Sequence, residues 1–387
     1  MRGSFMVRRP LLQAGAPRRG RHRLLMSVGP ALVAVALAGR LLAPGLLDEV
    51  APVIALSGIV LGVPHGAVDH MLPFWTRGRR PRAVDLGRVF AGYVAVAALA
   101  AAALLLAPTA TVGVFLLVSA VHFGRAEVVV PAEDAGRPVP GPAHEWLPTA
   151  AHGLAVVGLP LVLWPGPSAA VLGRLGPGWQ EPLSSSVRAS LGVACAVVLW
   201  LALRAQLSAG RRREAAQLAG VAALFAVGPP LLAFGMWLAG WHALRHTGRL
   251  NWLLRAVSPA VGPWPAARRF AAHAVVPTVV TTAAVVLTSW DDSAVAVSAA
   301  LSVLVALTFP HVLSVHAFDR WPPSGFVKAR DGRCQWSDAA PGASQPPRFF
   351  ADTSARARML GTQQRPHPGC VRAPACRRPQ VPGVPAH

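Results

Sequence analysis

Long uncharged runs alternate with short basic ones along this chain. A membrane-crossing helix needs roughly 20 predominantly apolar residues. Such runs recur at about 27–45, 50–75, 87–107, 110–130, 149–165, 187–204, 214–233, 235–253, 271–290 and 293–317. Several are short or nearly continuous with the next, so the pattern predicts an all-α, polytopic transmembrane bundle of eight to ten helices. No segment sustains the period-two alternation of a half-buried strand, and turn signals do not recur at the spacing of a small β domain.

Composition agrees with that pattern. Hydrophobic residues make up 53% of the chain and charged residues only 14%, against about 25% charged in soluble domains. Mean hydropathy is +0.45. The formal charge of +21 comes from 37 Lys and Arg against 16 Asp and Glu. The arginines lie between apolar runs, and no nucleic-acid-binding motif accompanies them, so they read as cytoplasmic loops and tails rather than as a nucleic-acid surface. Basic groups fall at Arg8, Arg9, Arg18, Arg19, Arg21 and Arg23, at Arg77, Arg79, Arg80 and Arg82, and at Arg204, Arg211, Arg212 and Arg213. Asp48, Glu49, Asp291 and Asp292 mark the opposite side. Ten spans then place both termini in the cytoplasm. The loop 131–148, with Glu133, Asp134 and Glu145, falls inside too, against the trend.

The basic start followed by an apolar run superficially resembles a signal peptide, but the apolar part runs on into further spans and reads as a first membrane helix. Residues 1–26 form a basic cytoplasmic segment, 27–320 the transmembrane domain that carries the chemistry, and 321–387 a Pro- and Arg-rich tail expected to be disordered. No chemistry is assigned to His367 or His387 in that tail. Cys195, Cys334, Cys370 and Cys376 form no CxxC pair, so neither a disulfide framework nor a zinc ribbon is supported.

Ionisable residues inside apolar spans are costly and mark function. Here they occur in "GVPHGAVDH" (His65, Asp69, His70), "LLVSAVHFGRAE" (His122), "GMWLAGWHALRHTGRL" (His242, His246) and "LTFPHVLSVHAFDR" (His311, His316). His242 and His246, four apart, project from one helical face at about 6 Å, a spacing that offers two ligands to one metal. His65 and His70, five apart, point roughly 140° away from each other on a regular helix. Asp69 shares the face of His65 and is placed to accept a hydrogen bond from it, which would fix a metal-binding tautomer. The second, fourth and eighth spans run in the same direction, so His65, His122, His242 and His246 can meet at one depth. Four neutral imidazoles suit Fe, Zn or Cu.

His152, His273 and His316 read as structural, and His70 as structural or interfacial. His311 in "FPH" either starts a kink or lines a pocket. Gly62, Gly66, Gly124 and Gly240 serve either close helix packing or room for a ligand. Phe123, Phe234, Trp237 and Trp241 are either packing or lipid-facing residues or walls of an apolar channel.

Taken together and in order, "GVPHGAVDH", "VHFG", "WHALRH" and "LTFPHVL" resemble the Brp/Blh family of bacterial and archaeal β-carotene 15,15′-dioxygenases, over about residues 50–320. "AHGLAVVGLPLVLWP", 151–165, is also similar to a segment of that family. The resemblance implies a membrane enzyme that cleaves the central double bond of β-carotene or a related carotenoid with O2, giving two molecules of retinal. It implies Fe(II) as cofactor, with His65, His122, His242 and His246 as ligands, and Asp69 and Glu127 orienting them. Substrate would enter from the lipid bilayer, and retinal would leave to it, for instance to a rhodopsin. The basic extension and the tail after 320 have no counterpart in the family pattern.

Two other classes fit parts of the sequence. A desaturase-like di-iron hydroxylase draws on about eight histidines in HxxxH and HxxHH clusters, and this chain has one HxxxH and no HxxHH. A transporter with intramembrane histidines would carry facing charges on several spans or an internal repeat.

Overall fold

The computed structural model describes residues 19–135, 137, 142–256, 262–287 and 293–320, together with 326–328 and 334–336. Proline sets many of the helix boundaries. Helix α1 (Arg19–Leu42) stops before α2 (Pro44–Gly62), and α4 (Ala83–Leu106) stops before α5 (Pro108–Asp134). The residues between, Ala43 and Ala107, are driven out of the helical region (ψ 63° and 62°) because each precedes a proline. Each proline then occupies the first helical position, where its missing N–H costs nothing.

Three of the rods change pitch or break. After α2 the chain makes a 3-10 turn at Val63–His65 and another at Asp69–Met71 before the short α3 (Leu72–Trp75). Helices α6 (Pro142–Gly153) and α7 (Leu159–Leu163) are joined by a π-helical turn at Leu154–Gly158. Next come α8 (Pro165–Leu172), α9 (Ser185–Ser208) and α10 (Arg212–Val227). A second π-helical turn, Leu238–Ala243, joins α11 (Pro230–Trp237) to α12 (Leu244–Ala256), followed by α13 (Pro263–Leu287) and α14 (Ser293–Arg320).

Among the described residues, the ten apolar runs of the sequence fall mostly on helix. Six stretches among the described residues are long and apolar enough to cross a membrane: Pro44–Trp75, Ala83–Leu106, Pro108–Asp134, Glu145–Leu163, Ser185–Ser208 and Leu301–Asp319. Their outer faces are apolar too. Leu99 is 71% exposed and Leu105 83%, and α4 buries only Ala100. Helices that are hydrophobic outside as well as inside belong in lipid, where every backbone polar group is satisfied within the helix. The chain is an all-α helical membrane bundle.

One core joins Val33 and Ala36 of α1, Ile59, Phe115, Phe123, Phe225, Trp237 and Trp241. A second joins Val68, Met71, Leu72 and Trp75 to Leu250, Leu253, Phe270 and Phe318. The turn that carries His65 therefore lies where α2, α12, α13 and α14 meet.

Lipid gives little hydrophobic drive for helices to associate, so close backbone approach matters. A Cβ on Gly58 would fall 2.3 Å from Gly235 O, and one on Gly235 would fall 2.4 Å from Ile54 O. A Cβ on Gly124 would fall 1.9 Å from Thr149 O, and one on Gly153 2.3 Å from Ala120 O. The α2–α11 and α5–α6 crossings are thus made on paired glycines. A Cβ on Gly240 would fall 1.9 Å from the Leu32 side chain and one on Gly62 3.1 Å from that of Leu238, so these two, with Gly124, face packed helices.

Three details differ from the sequence reading. Helix α1 starts at Arg19, inside the stretch read as a basic segment. Glu133 and Asp134 end α5, and Glu145 is a buried residue of α6, so the acidic stretch is largely helical rather than a loop. In the tail, Phe326–Lys328 pairs antiparallel with Cys334–Trp336; the rest, including His367 and His387, lies outside the described residues.

Gly124→Ala places a methyl group against a backbone carbonyl that cannot swing away. It is expected to lower thermal stability in detergent by about 1–3 kcal/mol. Gly220→Ala, with nothing within 4 Å of the added Cβ, is expected to be neutral or to stabilise by about 0.5–1 kcal/mol through helix propensity. Paired melting curves of the two variants read out the sign difference.

Candidate metal centre

His65 closes the 3-10 turn that ends α2. Pro64 offers no N–H to continue the α2 ladder, and the chain turns instead. His65 Nδ1 donates to Gly62 O, a carbonyl that has lost its helical partner near the break. A neutral imidazole with its hydrogen on Nδ1 keeps its lone pair on Nε2.

Four further imidazoles gather around it. Ring centres of His242, His246 and His311 stand 5.4, 5.6 and 4.8 Å from that of His65. His122 on α5 stands 5.3 Å from His242 and 4.9 Å from His311. His246 and His311 are 5.7 Å apart. The four histidines singled out from spacing and resemblance do converge, and a fifth joins them. His242 ends the π-helical turn and His246 lies one turn on, in α12.

The expected partner of Asp69 is corrected by the structure. With a double 3-10 turn in place of a regular helix, Asp69 accepts from His311 Nδ1 at 2.7 Å and from the Tyr93 hydroxyl at 3.2 Å. His65 is oriented by Gly62 O instead. Glu127, expected to orient a ligand, accepts from Trp241 Nε1 at 2.7 Å and from Arg245 at 2.6 Å.

These residues fit a metal of imidazole preference. Metal–nitrogen bonds of about 2.1 Å, with the nitrogen about 1 Å from the ring centre, place ligating rings roughly 4.5–6 Å apart. The observed separations span that range. Nε2 of His122, His246 and His311, and both ring nitrogens of His242, are buried with no hydrogen-bond partner among the described residues. Such orphaned polar atoms cost about 1–3 kcal/mol each unless something binds them. No trio of His, Cys, Asp or Glu donors among the described residues is already closed to ligating geometry, so the rings would draw together on binding.

The walls are aromatic. Trp237 stacks on His242 at 5.1 Å and 26°, and Phe123 meets the same ring edge-on at 5.0 Å. Trp237, Trp241 and Phe123 are buried, so they pack around the cluster and do not face lipid.

Below the cluster lies a frame of ion pairs. Arg245, one residue before His246, is 4% exposed, pairs with Glu127 and sits 4.2 Å over the Trp241 ring. Arg249 holds Glu133 and Asp319 at 2.7 Å each, joining α5, α12 and α14. Arg125 pairs with Glu145 and, at 3.4 Å, with Asp319. Arg213 takes Asp134 at 3.1 Å. The acidic residues that ran against the charge trend are therefore matched by arginines of neighbouring helices.

His70 does turn away from the cluster, toward His273 at 6.4 Å, and His273 also meets Trp75. His152 is buried outside the five-ring group. Tyr93 was not anticipated, although a signal existed: it is the sole tyrosine of the chain, placed in an otherwise apolar run.

Residues 56–319 match the family described as beta-carotene 15,15′-dioxygenase. No curated protein and no solved structure matches the chain.

Removing one partner of a buried ion pair strands the other. Glu127→Gln is expected to destabilise the fold by about 3–5 kcal/mol, and the double variant Glu127→Gln/Arg245→Met to recover much of that loss. Thermal unfolding of the single and double variants measures the coupling. Equal stability of Glu127→Gln and the unaltered protein would count against a buried pair.

Proposed function

Because this chain belongs to the β-carotene 15,15′-dioxygenase family, we propose that it cleaves the central 15,15′ double bond of β-carotene with O2 inside the membrane, giving two molecules of retinal. Fe(II) would be held by His65, His122, His242 and His246. The observation that carries this reading is the convergence of imidazoles whose buried nitrogens have no protein partner. Bound iron supplies the dioxygen chemistry that side chains lack. The reaction balances without another co-reactant: the C=C bond breaks, and each carbon takes one oxygen atom as an aldehyde.

The chain's own contribution is position and exclusion of water. Gly62 O fixes the tautomer of His65, so that its lone pair is on Nε2. Phe123 and Trp237 wall His242 with apolar surface, which suits a polyene and keeps bulk water from the reacting bond. Exposed apolar faces on α2, α4 and α5 put the site within reach of a substrate dissolved in lipid. Retinal leaves by the same medium, to a retinal-binding protein such as a rhodopsin. The arginine-rich termini and loops set both ends of the chain in the cytoplasm.

Expression in cells that accumulate β-carotene tests the activity. Loss of the orange colour with retinal in the extract is expected. His65→Ala and His242→Ala are each expected to abolish cleavage, and His387→Ala to leave it unchanged. Persistent carotenoid beside a folded, iron-loaded protein would sink the assignment for this substrate, and a fully active His242→Ala would remove the four-histidine site.

A further inference from the structure

The family motifs point to four histidines, yet the fold gathers five. His311 on α14 stands 4.8 Å from His65, 4.9 Å from His122 and 5.7 Å from His246, ring centre to ring centre. Two of these distances are shorter than those that link His65 and His122 to the remaining rings, 5.3–5.6 Å, and the third is about equal to the longest of them. We propose that His311 is a fifth ligand of the same metal, through Nε2, and that Asp69 and Tyr93 hold it in the tautomer that makes it one. This rests on the metal reading above and extends it.

The argument starts from what an imidazole can offer. A neutral ring has one N–H and one lone pair, and its partners decide which nitrogen carries which. Asp69 Oδ2 lies 2.7 Å from Nδ1 of His311, and a carboxylate accepts, so the hydrogen is on Nδ1. Tyr93 donates to the same oxygen at 3.2 Å, which steadies the carboxylate. The lone pair of His311 is then on Nε2, an atom that is buried and without a partner.

Two further features favour a ligand over a packing residue. Asp69 is 1% exposed in an apolar bundle, and a carboxylate there is costly unless its charge is used. Orienting a ligating imidazole and raising its basicity is such a use. Gly66 makes the approach feasible: an added Cβ would stand 3.3 Å from His311 Nδ1 and 3.7 Å from Asp69 Oδ2. The bare residue in PHGAVD thus leaves room for an imidazole from α14, more than two hundred positions away, to reach the broken helix. The rival arrangement is a protonated His311 that only forms an ion pair with Asp69. It has no lone pair at Nε2 and predicts no effect of His311 on the metal's ligand field.

Co(II) titration of the purified, metal-free protein separates the two, because the visible bands of Co(II) report ligand number and type. His311→Gln, close in volume, is expected to change the band pattern and weaken Co(II) binding by about 10-fold or more. Asp69→Leu, which keeps His311 but removes the acceptor of its Nδ1 hydrogen, is expected to weaken binding by about 10–100-fold. Wild-type spectra and affinity in both variants, with binding lost in His242→Ala, would overturn the fifth ligand and leave the four-histidine site standing. Binding retained in His242→Ala as well would overturn the underlying metal reading. If His311→Gln does not fold, X-ray absorption of the iron-loaded unaltered protein decides: five imidazoles support the proposal and four refute it.

Discussion

Lone pairs of neutral imidazoles, buried among apolar helices with nothing to accept from, set the terms for the rest of this molecule. Among the described residues, five ring nitrogens of His122, His242, His246 and His311 are buried without a partner. At most four of them are lone pairs, since a neutral His242 carries a hydrogen on one of its two. At about 1–3 kcal/mol each, their desolvation is of the order of the whole net stability of a typical domain. A cluster of this kind does not persist as packing alone. It persists where a ligand compensates it, and where the surrounding bundle is rigid enough to hold the rings together before that ligand arrives. The binding free energy of a metal is on that scale, about 10–16 kcal/mol for structural zinc in small peptides.

Rigidity has two sources here. The glycine crossings Gly58–Gly235 and Gly124–Gly153 bring backbones into contact. Each crossing lies within about two turns of a cluster histidine: Gly58 precedes His65, Gly235 precedes His242, and Gly124 follows His122. Arginines of α12 tie that helix to α5 and α14 through Glu127, Glu133 and Asp319. Arg245 and Arg249 alternate with His242 and His246, so one stretch, WHALRHTGR, carries both clustered imidazoles and the cations that anchor its helix. A helix with three arginines looks ill-suited to lipid by composition. Arg245 and Arg249 are tolerable because they are turned inward and paired.

How much of this was legible beforehand follows from what each feature depends on. The helices were legible, because apolar run length reflects bilayer thickness directly. Four of the five clustered histidines were legible, because His242 and His246 sit one turn apart and the other two recur in apolar runs at similar depth. The partner of Asp69 was not. A regular helix puts Asp69 under His65, but Pro64 and Gly66 break the helix into two 3-10 turns and aim Asp69 at α14. His311 stayed undecided for the same reason: its role is fixed by a contact 242 positions away in sequence, which no local pattern encodes. Glu127 was seen as a candidate for orienting a ligand, but its geometry belongs to Arg245, a pairing between α5 and α12 visible only once the helices are packed.

Two of the departures from regular helix lie where the imidazoles are, and that has a geometric reason. Side chains on straight helices that cross at glycine contacts diverge away from the crossing, so rings one or two turns beyond it would separate. A 3-10 turn tightens the chain at Val63–His65 and a π-helical turn widens it at Leu238–Ala243. Each rotates the residues that follow relative to the helix before it. The first brings His65 off the end of α2 toward the interior, with Gly62 O as its hydrogen-bond partner. The second resets the phase between Trp237, which belongs to the core, and His246, which belongs to the cluster, while His242 still stacks on Trp237. Irregular backbone inside a membrane is tolerated only where protein surrounds it, and here both irregular turns are packed against one another's helices. The same burial that makes the imidazoles costly is therefore what permits the backbone geometry that brings them together.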